Sequence, residues 1–215
     1  MKNSFSGEQI EALRRRVSSV ISPYRLEHTF GVESMAARIG ALYCPEKLDV
    51  LRVAALLHDV TKELSVEEQC DILRSHGLTP TEERLASPAT LHSLTAALII
   101  PEKYSEFATD DVLSAVRYHT TGRENMTLCE KIIYLADYID ETRKYDDCIA
   151  LREEFFASKL DEMSMDELLE HLNRVILHSL DMTVSDLEEK GRIVSSDSLK
   201  ARESIIFELE NKGVK

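Results

Sequence analysis

The chain has 215 residues, 43% apolar and 30% charged, with a formal net charge of −13; a chain of this size buries a full core without disulfide or metal staples. The acidity excludes a protein whose main task is to grip a long nucleic acid, which needs a basic surface, but leaves a small phosphate ligand open, because bound cations reverse the local sign. No run approaches the roughly 20 apolar residues that span a bilayer, and the polar start MKNSFSGEQIEALRRR does not read as a signal peptide, so a cytoplasmic protein with no membrane partner is expected.

Seven glycines and five prolines separate stretches rich in Leu, Ala, Glu, Lys, Arg and Ile, a helix-forming composition. The apolar spacing predicts an all-α chain, with helices near 7–20, 23–43, 46–58, 65–75, 80–86, 88–100, 109–119, 127–140, 145–158, 165–190 and 196–212. Pro23 and Pro45 suit the first turns of their helices, where a missing N–H costs nothing. Ser65, with Glu68 three residues on, forms a capping box. Gly77 and Pro80 bracket a loop, and Gly122 closes another helix. No repeat, low-complexity tract or Gly/Ser linker divides the chain. One domain over 1–215 is expected, its core at about 20–143 and its C-terminal helices at about 144–212. Cys44, Cys70, Cys129 and Cys148 are scattered without a CxxC pair, which suits free thiols in a reducing compartment.

Five polar residues sit on the apolar faces of their own helices. His28 aligns with Val32, Met35 and Ile39; His58 with Leu51, Ala54 and Ala55; His92 with Ala96 and Ile99; His119 with Val112, Ala115 and Val116. Asp137 is the only acid between Ile132 and Ile139. A polar group on such a stripe needs a partner, because burying it alone costs a few kcal/mol. Most single histidines of this kind are hydrogen-bonded core residues, and His171 and His178, which share a face with Val175 and Met182, are read that way.

The doublet His58-Asp59 is more pointed. It closes the apolar run Val53-Ala54-Ala55-Leu56-Leu57. Adjacent helical residues diverge by about 100°, so both reach one ion only near a helix end. Mixed imidazole and carboxylate ligation suits iron, manganese or zinc.

The series His28, His58-Asp59 and Asp137 resembles the ligand signature of the HD superfamily of phosphohydrolases. The stretches EHTFGVESMAARIG, VAALLHDVTKE, VRYHTTGRENMTLCEKIIYLADYIDETR and EEKGRIVSSDSLKARE are similar to one bacterial branch of it, the YqeK-type symmetrical bis(5′-nucleosyl)-tetraphosphatases. The chain departs from that branch at Ser93, where a Gly is usual, at Asp140-Glu141-Thr142, where a Pro is usual, and at Val194-Ser195, where His-Pro is usual.

The resemblance implies an HD-domain helical bundle with additional C-terminal helices. It implies one or two iron ions on His28, His58, Asp59 and Asp137, with His92 and His119 holding a second metal or touching phosphate. The implied reaction is symmetrical hydrolysis of diadenosine tetraphosphate to two ADP by a metal-bound hydroxide, with His58, Asp59 and Lys62 as catalytic residues and Asp59 as bridging ligand. Substrate contacts are expected from Lys62, His92, His119, Thr120, Arg143 and the loop Lys190, Gly191, Arg192, Ile193, Val194 and Ser195. Arg143, just past a helix end, is preferred to Arg123 as a phosphate fork. Gly122 is expected to let backbone amides approach a phosphate. The partner is then a small dinucleoside polyphosphate, and a homodimer stays open. The alternatives are another HD nucleotide phosphohydrolase (a nucleotidase) and a non-catalytic nucleotide-binding sensor.

Overall fold

A computed structural model describes residues 4–211. Among the described residues there is no strand; the elements are helices joined by short turns. The end of the last expected helix, at 212, lies outside the described residues.

Among the described residues eleven α-helices follow one another: α1 Gly7–Ser18, α2 Pro23–Tyr43, α3 Leu48–Leu57, α4 Val66–Ser75, α5 Glu82–Ala86, α6 Leu91–Lys103, α7 Asp110–Tyr118, α8 Leu128–Ile139, α9 Asp146–Ala157, α10 Met165–Glu189 and α11 Ser196–Glu210. Their starts carry local chemistry. Pro23 opens α2 behind the N-cap Ser22. Ser65 and Glu68 form the expected reciprocal capping box on α4, and Thr127 with Glu130 forms another on α8; such caps satisfy amides that the first turn leaves unpaired. Pro45 opens a short 3-10 turn ahead of α3 rather than α3 itself.

The centre is a cluster of α2, α3, α7 and α8. α2 packs on α3 and α8, α3 on α7, and α7 on α8. Their inward faces supply Val32, Ile39, Leu51, Leu56, Leu57, Val116, Ile132, Ile133 and Leu135, all fully buried; each such side chain contributes roughly 1.5–3 kcal/mol on burial. α6 joins through α7, and α4 packs on α6. α10 packs on α8, α9 and α11, and α11 is pinned by its Glu208 to Lys131 of α8 at 2.6 Å. All four cysteines are free and buried, and burial pushes the Cys44 thiol up to about 11.

One contact brings the end of α8 against the start of α2. A Cβ on Gly31 would stand 2.5 Å from Asp140 Oδ1 and 2.8 Å from Thr142 Cγ2. Only a residue without a side chain lets these two segments close, and the site depends on that closeness.

Candidate metal centre

Each element of the central cluster delivers one polar group to the same place. His28 comes from the second turn of α2. His58 and His119 are the C-cap residues of α3 and α7, so the doublet His58-Asp59 does stand at a helix end. His92 lies in the first turn of α6 and Asp137 in the last turn of α8. The four histidines and Asp59 are buried; Asp137 is partly open, at 16% side-chain exposure.

The imidazoles are oriented from behind. His58 Nδ1 donates to Ala55 O at 2.6 Å, and His119 Nδ1 donates to Val116 O at 2.7 Å. These are last-turn carbonyls, which a helix leaves without an N–H partner. Since a carbonyl only accepts, Nδ1 carries the proton and Nε2 keeps its lone pair. His28 Nδ1 points instead at Asp140 Oδ2, 3.1 Å away. Asp140 is itself fully buried and held by the amide and hydroxyl of Thr142.

In front, the lone pairs meet two carboxylates. His28 Nε2 is 2.9 Å from Asp137 Oδ1, and His58 Nε2 is 3.8 Å from the same oxygen. Asp59 divides its oxygens: Oδ2 lies 3.5 Å from His58 Nε2 and 3.8 Å from His28 Nε2, while Oδ1 lies 3.1 Å from His92 Nε2 and 3.8 Å from His119 Nε2. Two sets of potential donors result, His28/His58/Asp137 and His58/Asp59/His119, each with its donor atoms within 4.8 Å of one another. His92 falls outside both sets. Its ring lies between Asp59 and Lys62, whose Nζ is 3.2 Å from His92 Nδ1.

The donor set fits a divalent cation. Nε2 of His58 is buried with no hydrogen-bond partner, an arrangement that costs about 1–3 kcal/mol unless something accepts the lone pair, and Nε2 of His28 has the Asp137 carboxylate before it. Second-side anchoring of the imidazole by carbonyl or carboxylate is the usual support of a metal-ligating histidine. The C-terminal ends of α3 and α7 add partial negative charge at the same spot.

Electrostatics agree. Burial opposes charge on Asp137, but Arg143 and His28 hold its carboxyl well below the usual range. Burial opposes charge on Asp59 too, and His58 and His92 bring it down likewise. Burial keeps His92 and His119 neutral by lowering both. For His28 burial also lowers, but Asp137 and Asp140 outweigh it and raise the ring to about 9.

A cleft of about 510 Å³ opens over Asp59 and Asp137. Four cations, Arg25, Lys62, Arg143 and Lys144, line it together with Glu27. Arg25 reaches Asp59 Oδ2 at 2.8 Å, and its buried Nε has no partner. Arg143 reaches Asp137 Oδ1 at 2.7 Å. Thr120 Oγ1 lies 3.0 Å from His119 Nε2. Burial lowers the Lys62 ammonium, against the pull of Asp59 and Asp137.

Most residues singled out from the sequence therefore meet: His28, His58, Asp59, Lys62, His92, His119, Thr120, Asp137 and Arg143. Arg123 turns away to Glu130. The loop 190–195 does not line this cleft. Lys190 pairs with Asp186, Ile193 O accepts from Ser87, and Ser195 borders a separate hollow of about 140 Å³ with Arg84, Arg117 and Thr121. Gly122, expected to open the turn to a phosphate, has its own N–H on Tyr118 O at 2.8 Å and, with φ at +65°, turns the chain three residues past the C-cap His119. His171 bonds Phe155 O at 2.9 Å and His178 bonds Glu154 at 2.7 Å, neither near the cluster ligands. Arg25, Asp140 and Thr142 were not foreseen. Their signal was spacing alone: Arg25 three residues before His28, Asp140 three after Asp137.

Residues 25–142 match the family described as the HD domain. A symmetrical bis(5′-nucleosyl)-tetraphosphatase of Halalkalibacterium halodurans is 30% identical over 188 residues, covering 87% of this chain and 92% of the relative. One of the same name from Bacillus subtilis is 29% identical, covering 85% and 89%. A crystal structure from Clostridium acetobutylicum, described as a predicted HD superfamily hydrolase involved in NAD metabolism, superposes with a TM-score of 0.78 at 29% identity, covering 95% of this chain and 99% of that one.

Proposed function

The chain belongs to the HD domain family, and on that premise we propose that it is a metal-dependent phosphohydrolase that cuts diadenosine tetraphosphate symmetrically into two ADP. One observation carries the reading: three back-anchored imidazoles turn Nε2 toward the buried Asp59 and the partly open Asp137 on the floor of a cation-lined cleft. The names of the relatives supply the substrate.

We assign His28, His58, Asp59 and Asp137 to one cation, and His119 with the other oxygen of Asp59 to a second. The mixed nitrogen and oxygen donors suit iron, and also manganese or zinc. A bound cation there would acidify a water and neutralise charge on the phosphate under attack.

The chain's own residues do the rest. Asp59 turns one oxygen toward His28 and His58 and the other toward His92 and His119, and so would hold cations on both sides. Arg25 keeps an unpartnered Nε–H for a phosphate oxygen. Arg143 uses Nε and one terminal nitrogen on Asp137 and keeps its remaining donors for the substrate. Lys62, its proton loosened by burial, donates to the departing ADP oxygen, with His92 beside it as relay. The hydroxyl of Thr120 donates to a phosphate oxygen. The loop 190–195 contacts the outer nucleoside rather than the reacting phosphate. The matched core and α9–α11 are taken as one domain, supported by the packing of α10 on α8.

The test is turnover of diadenosine tetraphosphate by iron-loaded protein, prepared without oxygen, beside His58→Ala. Wild type yields ADP alone and the variant yields none. AMP with ATP among the products would overturn the symmetrical assignment, and no product from iron-bearing wild type would overturn the substrate.

A further inference from the structure

The reaction uses the cations of the cleft but leaves its two largest side chains without a task. Tyr24 and Tyr145 line the same cavity as His28, Asp59 and Asp137. Both rings stand mostly in solvent, at 78% and 68% exposure. Tyr24 sits in the first turn of α2 beside Arg25, whose guanidinium carbon is 6.0 Å from the ring centroid. Tyr145 is the N-cap residue of α9, two positions past Arg143. Neither phenol hydroxyl has a hydrogen bond among the described residues.

A single exposed aromatic is ordinary. Two at the rim of one polar cleft are not. Exposure rises outward from Asp59 at 4% through Arg25 at 20% to Tyr24 at 78%. Carboxylate, guanidinium and aromatic ring thus follow one another in the order that a nucleotide presents, from reacting phosphate to base. Every nucleobase has a π face, and aromatic rings stack on it with little regard for which base it is.

We propose that the rings of Tyr24 and Tyr145 are the base-stacking surface of this cleft, and that its own preference for a nucleoside polyphosphate over a bare polyphosphate resides in them, the loop 190–195 meeting the second nucleoside outside it. This rests on the phosphohydrolase reading above. It assigns no chemical step to either residue; stacking holds the base while Arg25, Lys62 and Arg143 hold the phosphates.

The test compares wild type with Tyr24→Ala/Tyr145→Ala and Tyr24→Phe/Tyr145→Phe, all metal-loaded. Phe207→Ala, an exposed aromatic on α11 outside the cleft, controls for loss of any surface ring. Two readouts are taken: KM and kcat for diadenosine tetraphosphate, and calorimetric binding of ADP against inorganic pyrophosphate. The double alanine variant raises KM about tenfold or more, the scale of one lost stacking contact, with little change in kcat. It weakens ADP binding by the same factor and leaves pyrophosphate binding as it was. The double phenylalanine variant and Phe207→Ala behave as wild type. Unchanged ADP affinity in the double alanine variant overturns the proposal, as does an equal loss for pyrophosphate. If wild type fails to cut diadenosine tetraphosphate, the functional reading falls, and the ADP-against-pyrophosphate comparison still decides the stacking surface. A wild type that binds ADP no tighter than pyrophosphate also overturns it.

Discussion

Asp140 shows how much of the site lies one residue behind the ligands. It touches His28 from the side opposite Asp137, fixing which nitrogen carries the proton. Asp140→Asn keeps the shape but removes the charge, and metal affinity is expected to fall about 10–100-fold, as for other supports behind ligating histidines; competition with a coloured chelator measures it, and unchanged affinity would remove Asp140 from the site. His28 also makes the metal-free protein sensitive to pH. Its ring is raised from 6.5 to about 9, so the folded state binds its proton more tightly than the unfolded state. The resulting stability is fully present below pH 6.5 and is lost as pH rises through 9. Thermal melts of chelator-treated protein should therefore drop across that window, and melts of His28→Ala should not. His28, His58 and Asp137 were legible in the sequence because a polar residue on an apolar stripe violates periodicity. Arg25 and Asp140 broke no such rule: a charge near a helix end is what any surface helix carries.

At the level of elements, the decisive feature is the approach of α8 to α2 across Gly31. A methyl group there pushes Asp140 and Thr142 outward. Gly31→Ala is expected to cost about 1–3 kcal/mol, the usual penalty for overfilling a packed contact, and to weaken metal binding in parallel with Asp140→Asn. Urea denaturation and the chelator assay together check this; a stability loss with intact metal affinity would separate the contact from the site. Ser65→Ala is the contrasting case. It removes a capping box on α4 whose partners are Glu68 side-chain and backbone atoms alone, and should cost about 1 kcal/mol without moving metal affinity. Helix positions and the Ser65 box were readable because they rest on local chemistry. The Gly31 contact was not, because it exists only once two distant helices cross. The place of the loop 190–195 was not legible for the same reason: its sequence says basic turn before a helix, and only the fold sets Ile193 against Ser87.

For the whole molecule, the cation would tie α2, α3, α7 and α8 together at one point. A ligand that binds only the folded chain stabilises it by mass action, about 2.7 kcal/mol at one hundred times its dissociation constant. Stripping the metal should lower the melting temperature by several degrees, and iron, manganese or zinc should restore it; a melting curve indifferent to metal would deny the centre a structural load. The order of the ligands along the chain adds a constraint on biosynthesis. His28 and its support Asp140 are 112 residues apart, and Asp137 lies on the last helix of the central cluster. A nascent chain exposes His28, His58 and Asp59 well before α8 leaves the ribosome. Until then it offers a loose, incomplete chelate, so tight metal capture waits for α8 to emerge and pack on α2 and α7.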